Sequence, residues 1–401
     1  DDSGLPDDHR VIVAATWALS IDRADRTRPA GLARPLLEVA SVLDANGIPR
    51  TVLTGTPVLE YLAQRRRSDA AGEGPQTLSP ADAYDGLRVL HRFSLLDHNP
   101  DAFFQEVRVH QLIQRATRDT LTGSELAATA HTAADALVAV WPDVERDQAG
   151  PVLRANTGIL RTLTGTALWE YDGEAHPVLF RAGTSLGDAG QVSAAVTEYT
   201  WLHDTATRLL GPDHLDTLII RNNLAYWRGE AGDPAGAAAA FQELLADRLR
   251  VLGPDHPHTL TTRNHLARWR GEAGDPAGAA AAFQELLTDY LRVLGPDHPH
   301  TLTTRHNLAS WRVKAGDPAG AAALQELLTD RLRVLGPDHP DTLTTRNNLA
   351  YWRGEAGDPA GAAAAFQELL TDYLRVLGPD HLDTLTTRDN LAYWRGQAGL
   401  E

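Results

Sequence analysis

Five histidines, His214, His256, His298, His339 and His381, recur at steps of 42, 42, 41 and 42 residues. Imidazole is a common zinc ligand and the usual acid or base near neutral pH, so the row invites a metal or proton-transfer reading. Zinc needs several donors converging within about 2 Å of one ion, which side chains a whole repeat apart cannot supply. The closest approach to a chelate is the pair His256/His258 or His298/His300, and turn positions are the expected role. Gly183-Thr184-Ser185-Leu186-Gly187 has the spacing of a hydrolase nucleophile elbow, which requires a strand before the serine and a helix after it. Aligned with the repeats, Ser185 instead takes the place of Glu230, near the end of a helix. The only lysine, Lys314, lies inside a repeat, so the chain has no Gly-rich phosphate loop with its Lys and Ser/Thr. Cysteine is absent, which removes disulfides, thiolate ligands and cysteine nucleophiles. No catalytic residue and no metal ligand is assigned.

The elements behind these spacings are repeats. Gly-Pro-Asp-His begins at Gly211, Gly253, Gly295, Gly336 and Gly378, and a tryptophan keeps the same steps at Trp227, Trp269, Trp311, Trp352 and Trp394. Each unit reads as two helices. The first is capped by Asp216 or Thr217 and stops at Gly232. The second opens at Pro234, carries Ala237, Phe241, Leu244 and Leu245 on one face, and ends at Gly253. Such a unit buries little alone, so neighbours must stack into a solenoid. The single 41-residue step falls at Ala321-Ala322-Ala323-Leu324, where sister units have four alanines and a phenylalanine, and a kink or shortened helix start is expected there.

The strings Asn222-Asn223-Leu224-Ala225, Gly232-Asp233 and Leu252-Gly253-Pro254-Asp255-His256-Pro257 resemble the long tetratricopeptide repeat of kinesin light chains and many bacterial signalling proteins. The resemblance covers Pro177 to Gly399, with a degenerate first unit at about 177 to 210 and a last one cut after its first helix. It implies a concave face lined by first helices, on which Asn223, Asn307, Asn348 and Asn390 grip a protein or peptide ligand, with Tyr226, Tyr351 and Tyr393 beside them. His265 breaks the series. An asparagine can also brace the next helix, and near-identical units share residues simply through duplication.

Residues 1 to 175 lack the period. Val11-Ile12-Val13 reads as a strand or a helix start, followed by helices at about 29–43, 57–67 and 79–93 and a Gly/Ser-rich loop from Ser68 to Thr77. Alternation at Val107 and Val109 after Asn99-Pro100 predicts a hairpin, and Gln111 to Thr120 a further helix. This order is a winged-helix reading. Over residues 1–115 thirteen Arg face twelve Asp and four Glu, a net of −3, and Asp82 and Asp85 sit on the presumed recognition helix, so duplex binding is disfavoured. The run Val107 to Gln114 resembles the Met-His-Asp motif that closes the winged helix of STAND signalling ATPases (the NB-ARC-like family). The resemblance implies that His110 contacts ADP held by a nucleotide-binding domain upstream in the same chain. ADP or ATP would then belong to the longer protein, and no cofactor to these 401 residues. Taken alone, a histidine at a strand-to-helix junction is a cap. Helices at 124–141 and 145–163 connect the two parts, Ser124-Glu125 being the expected start of the first.

These readings combine as a mainly α chain: a winged-helix domain with a small β-hairpin over 1–120, a helical connector over 121–176, and a right-handed α-solenoid over 177–401. With 43% hydrophobic and 22% charged residues the composition is that of a soluble globular protein, and no apolar run approaches the twenty residues a bilayer needs. A net charge of −16 disfavours nucleic acid and anionic membrane as partners. The absent start Met and the Leu400-Glu401 end lead us to expect a piece of a longer chain. The function expected is that of a non-catalytic, cytoplasmic sensor arm of a STAND-type regulator. The alternatives are a free-standing repeat adaptor and a DNA-binding regulator.

Overall fold

The computed structural model describes residues 17–69, 77–145 and 148–400. The Val11 to Val13 segment lies outside them, as does most of the loop from Ser68 to Thr77. The chain is mainly helical, and its described residues form two compact units that divide between Ile220 and Arg221.

The first unit opens with helical residues 17–25 (α1) and then α2, Ala33–Ser41, which is buried along nearly its whole length. The expected start at residue 29 is too early, because Gly31 stands at φ +76°, outside the helical region. A short α3, Arg50–Thr54, precedes α4, Thr56–Asp69. Helix α5, Pro80–Arg92, begins where Ser79 and Asp82 form a reciprocal capping box. Strand β1, Asp97–His98, pairs antiparallel with β2, Val107–Arg108, and Val107 also bridges Ile48, giving the lateral order Ile48, β2, β1. Helix α6, Gln111–Arg118, follows at once, and the buried Gln114 amide donates to the Ala40 and Leu43 carbonyls at 2.8 and 3.0 Å.

Helix α7, Gly123–Val140, is capped by Thr122 in a box with Glu125 and not by Ser124, because the box needs the acid three residues after the cap. Helix α8, Ala149–Leu163, carries the buried Asn156, which donates to the Gly47 carbonyl and accepts from the Asp44 amide at 2.9 and 3.0 Å. Helices α9, Pro177–Asp188, and α10, Val192–Leu209, are the degenerate pair. Ser185 lies within α9, fully buried, and its hydroxyl donates to Glu145 at 2.8 Å. That is a packing role in a helix, without the strand-turn-helix setting of a nucleophile.

Beyond it run the repeats: α11, Leu215–Glu230; α12, Pro234–Val251; α13, Pro257–Glu272; α14, Pro276–Val293; α15, Pro299–Lys314; α16, Ala319–Val334; α17, Pro340–Glu355; α18, Pro359–Val376; and α19, Leu382–Gln397. First helices are 16 residues long and second helices 18, except α16 with 16. The missing residue therefore shortens the start of α16, as its position requires. Asp233, Asp275 and Asp358 cap their second helices through the amide three residues on, whereas α16 begins after Pro318, which has no capping side chain, and Asp317 takes the Ala319 amide at 2.9 Å instead. First helices are capped by the turn histidines: Nδ1 of His214, His256, His298, His339 and His381 each accepts an amide proton two residues on, at 3.1–3.2 Å. Asp216 and Thr217 were the expected caps for α11. They fail because the helix starts at Leu215, which places His214 at the cap.

Phe241, Phe283 and Phe366 fill the second-helix side of the repeat cores, each fully buried. Successive repeats are also stitched by charge. Asp289 accepts from Arg263 of its own repeat at 2.6 Å and from Arg292, which reaches back to Asp255; Arg305/Asp330/Arg333/Asp297 and Arg346/Asp372/Arg375/Asp338 repeat the pattern.

Candidate functional site

The asparagines and tyrosines of the first helices are held on rigid scaffolding. Asn222 accepts from Arg248 Nη1 at 3.3 Å, and Asn347 donates to Thr387 at 3.5 Å. The Asn348 amide donates to His306 Nε2 at 3.0 Å, reaching from one repeat to the one before. Asn223, Asn307 and Asn390 are half-buried. Tyr226 packs edge-on against His265 and Trp269 of the next repeat, at 5.8 and 6.2 Å between ring centres. Arg268 lies over the Tyr226 ring at 5.6 Å while donating to Glu230 at 2.8 Å. Tyr351 and Tyr393 are the open members of the row, 38% and 53% exposed. One strip of the second unit thus offers amides and phenols within reach of solvent, partly spent on contacts between repeats.

Two histidines sit inside this strip where the sister repeats carry asparagine, or Asp389 in one case. Burial pushes the imidazoles of His265 and His306 down to about 4. Both are neutral in the native state at pH 7, and an unprotonated Nε2 is what the Asn348 amide needs. In the unfolded chain the same rings take up protons near the ordinary value of about 6.5. The unfolded state therefore binds more protons between pH 6.5 and 4, and stability falls as pH falls through that window. We expect a loss on the order of 3 kcal/mol per ring by pH 4, read as a falling melting temperature that the double variant His265→Asn, His306→Asn largely suppresses.

His110 stands at the start of α6, exposed, with Nδ1 accepting the Leu112 amide at 3.2 Å. It is a helix cap of the same kind as the turn histidines of the repeats. Among the described residues no group of three or more His, Asp or Glu side chains is placed to hold a metal ion. No helix there is long and apolar enough to cross a membrane.

Sequence reasoning passed over the joint that aligns the strip. A Cβ built on Gly229, Gly271 or Gly354 would lie 2.4–2.5 Å from the indole of Trp269, Trp311 or Trp394, so each ring rests on the bare backbone of the preceding first helix. The signal was present as Trp-Arg-Gly in four of the five units, the fifth reading Trp311-Arg312-Val313.

The tetratricopeptide repeat model matches residues 217–258, 259–300, 301–341 and 342–383. No curated protein matches the chain. Among solved structures, a putative kinesin light chain with nearly identical repeats from Podosopora anserina shares 20% identity over 49% of this chain and 93% of that one, at a TM-score of 0.43. BtubC from P. vanneervenii shares 19% over 55% and 85%, at 0.41. A STAND signal-transduction ATPase with a tetratricopeptide repeat sensor from Pyrococcus horikoshii shares 11% over 90% and 53%, at 0.45. Residues 217–383 are four consecutive tetratricopeptide repeats forming a solenoid.

Proposed function

We propose that these tetratricopeptide repeats hold a protein or peptide partner on the face formed by their first helices, and that the chain is the sensor arm of a STAND-type regulator. The observation that carries the partner reading is the strip itself: Asn223, Asn307, Asn348 and Asn390 half-buried beside the exposed Tyr351 and Tyr393, at repeat spacing. Half-buried amides can give a bound backbone a donor and an acceptor each, and flanking phenols add apolar contact at little entropic cost. The regulator reading is supported by the first unit, whose order helix, Ile48 bridge, helices, β1, loop, β2 fits a winged helix, with His110 directly after it. In that reading His110 faces ADP on the nucleotide-binding domain of the same protein, and partner binding shifts a two-state equilibrium by preferring one state.

The test is a capture experiment with the full 401-residue chain and with Asn223, Asn348 and Asn390 changed to Ala. Losing three backbone-directed hydrogen bonds should weaken a captured partner by at least about tenfold, with only the small drop in melting temperature that the lost Asn348 to His306 bond accounts for. Equal capture by both chains removes the strip from the proposal.

A further inference from the structure

Three of the four joints between consecutive first helices, from α11 to α19, close in the same way. The tryptophan rests on a glycine, as described, and the arginine after it donates to a glutamine of the preceding second helix: Arg270 to Gln242, Arg312 to Gln284 and Arg395 to Gln367, at 2.9–3.0 Å. The joint between α15–α16 and α17 departs at each point. Val313 replaces the glycine, Leu324 replaces the phenylalanine, and α16 lacks its first residues. Where the sister rings rest on bare backbone, this helix carries the Val313 side chain, and Trp352 is half-buried while Trp269, Trp311 and Trp394 are 4–7% exposed. Arg353 turns to Asp358 at 2.6 Å, and the Gln325 amide has no hydrogen bond among the described residues. What remains is a cavity of about 380 Å³ bounded by Ala321, Gln325, Leu328, Leu349, Trp352 and Glu368.

Its chemistry is that of a slot whose own cation, Arg353, stays at the border and pairs with Asp358 instead of Gln325. The Glu368 carboxylate and the Gln325 side-chain oxygen are acceptors with no donor among the described residues. Arg346 and Arg353 both border the cavity, but each is tied to a carboxylate, Asp372 at 2.7 Å and Asp358 at 2.6 Å. Two sister tryptophans already carry a cation over the ring, Arg268 at 4.6 Å from Trp269 and Lys314 at 4.1 Å from Trp311, whereas Trp352 has none among the described residues. Leu328 and Leu349 supply an apolar wall for a methylene stem.

We propose that this gap is a docking site for an arginine side chain of a partner protein. The guanidinium lies against Trp352 and donates to Gln325 and Glu368, doing for the joint what Arg270, Arg312 and Arg395 do elsewhere. The site goes beyond the asparagine strip and uses none of its residues.

The test follows the indole N–H resonance of Trp352, assigned with Trp352→Phe, in the full chain titrated with acetyl-Gly-Arg-Gly-amide and with its citrulline counterpart, the same shape without the charge. The arginine peptide should shift that resonance saturably, the citrulline peptide should bind at least about tenfold more weakly, and Glu368→Gln should cost the arginine peptide several-fold. A second chain carries Val313→Gly, Leu324→Phe and one alanine inserted before residue 324, restoring the sister joint. It should fold, bury Trp352 and no longer respond. The Asn223, Asn348, Asn390 alanine variant should respond as the unaltered chain does, so the two readings fail separately. An unmoved Trp352 resonance, equal affinity for citrulline, or a restored joint that still binds would overturn the assignment.

Discussion

Gly271→Ala, a change that ordinarily strengthens a helix by about 1 kcal/mol, will weaken this chain. The new methyl would stand 2.5 Å from the Trp311 ring, where no Cβ fits, and the ring cannot retreat without opening the joint between α13 and α15. Overpacking of this kind costs about 1–3 kcal/mol. Removing the ring instead, by Trp311→Ala, empties a site only 7% exposed and should cost about 3–5 kcal/mol. The decisive measurement is the double variant. Once residue 311 is Ala, the ring atoms that crowd the added methyl are gone, and Gly271→Ala should change sign and stabilise by up to about 1 kcal/mol. Denaturant melts of the four chains read the cycle. Additive losses would mean that Gly271 and Trp311 do not form the joint described.

Arg248→Tyr should stabilise the chain by about 1–3 kcal/mol, while Arg248→Ala should destabilise it by about 2–4. Arg248 is 1% exposed, and its guanidinium is held by neutral groups: the Thr262 hydroxyl at 2.6 Å, the His258 carbonyl at 2.8 Å and the Asn222 amide oxygen. Burial pulls its pKa down to about 10. The unfolded chain holds that proton more tightly than the folded one, so the penalty is present at neutral pH and eases only as pH rises above about 10. Two of the three sister repeats place Tyr290 and Tyr373 at the same position, 4% and 3% exposed, which shows that a phenol fits; the third carries Arg331. Alanine would leave a void and unsatisfied acceptors. If Arg248→Tyr is the less stable chain, the buried cation stabilises the fold and this reading of it is wrong.

The period of the repeats and the two-helix division of each were legible because glycine, proline and tryptophan mark the chain at fixed intervals. The caps were legible in place but not in kind. Aspartate is the commoner cap, yet helix start and turn geometry put histidine at the position whose side chain reaches the second amide. In the first unit the hairpin and α5 could be read from Asn99-Pro100 and Ser79-Pro80, whereas the bridge from Ile48 to Val107 joins residues far apart in sequence and leaves no local trace. The candidate strip was named residue by residue, but its hydrogen bonds were not: Asn348 to His306 and Arg268 to Glu230 span 42 and 38 residues. The gap beside Trp352 was half-visible, as a missing residue. Only the comparison of joints showed that Val313 and Arg353 belong to the same departure.

The histidine caps carry a consequence for the rings themselves. An Nδ1 that accepts an amide proton must keep its lone pair, which places the ring's own proton on Nε2. Each capping ring, His110 and those from His214 to His381, is thereby fixed as one tautomer, with its acceptor turned to the helix and its donor turned away. At each turn histidine the ring nitrogen away from the helix is therefore an N–H donor. A passing metal ion, which needs the lone pair, meets a proton there instead.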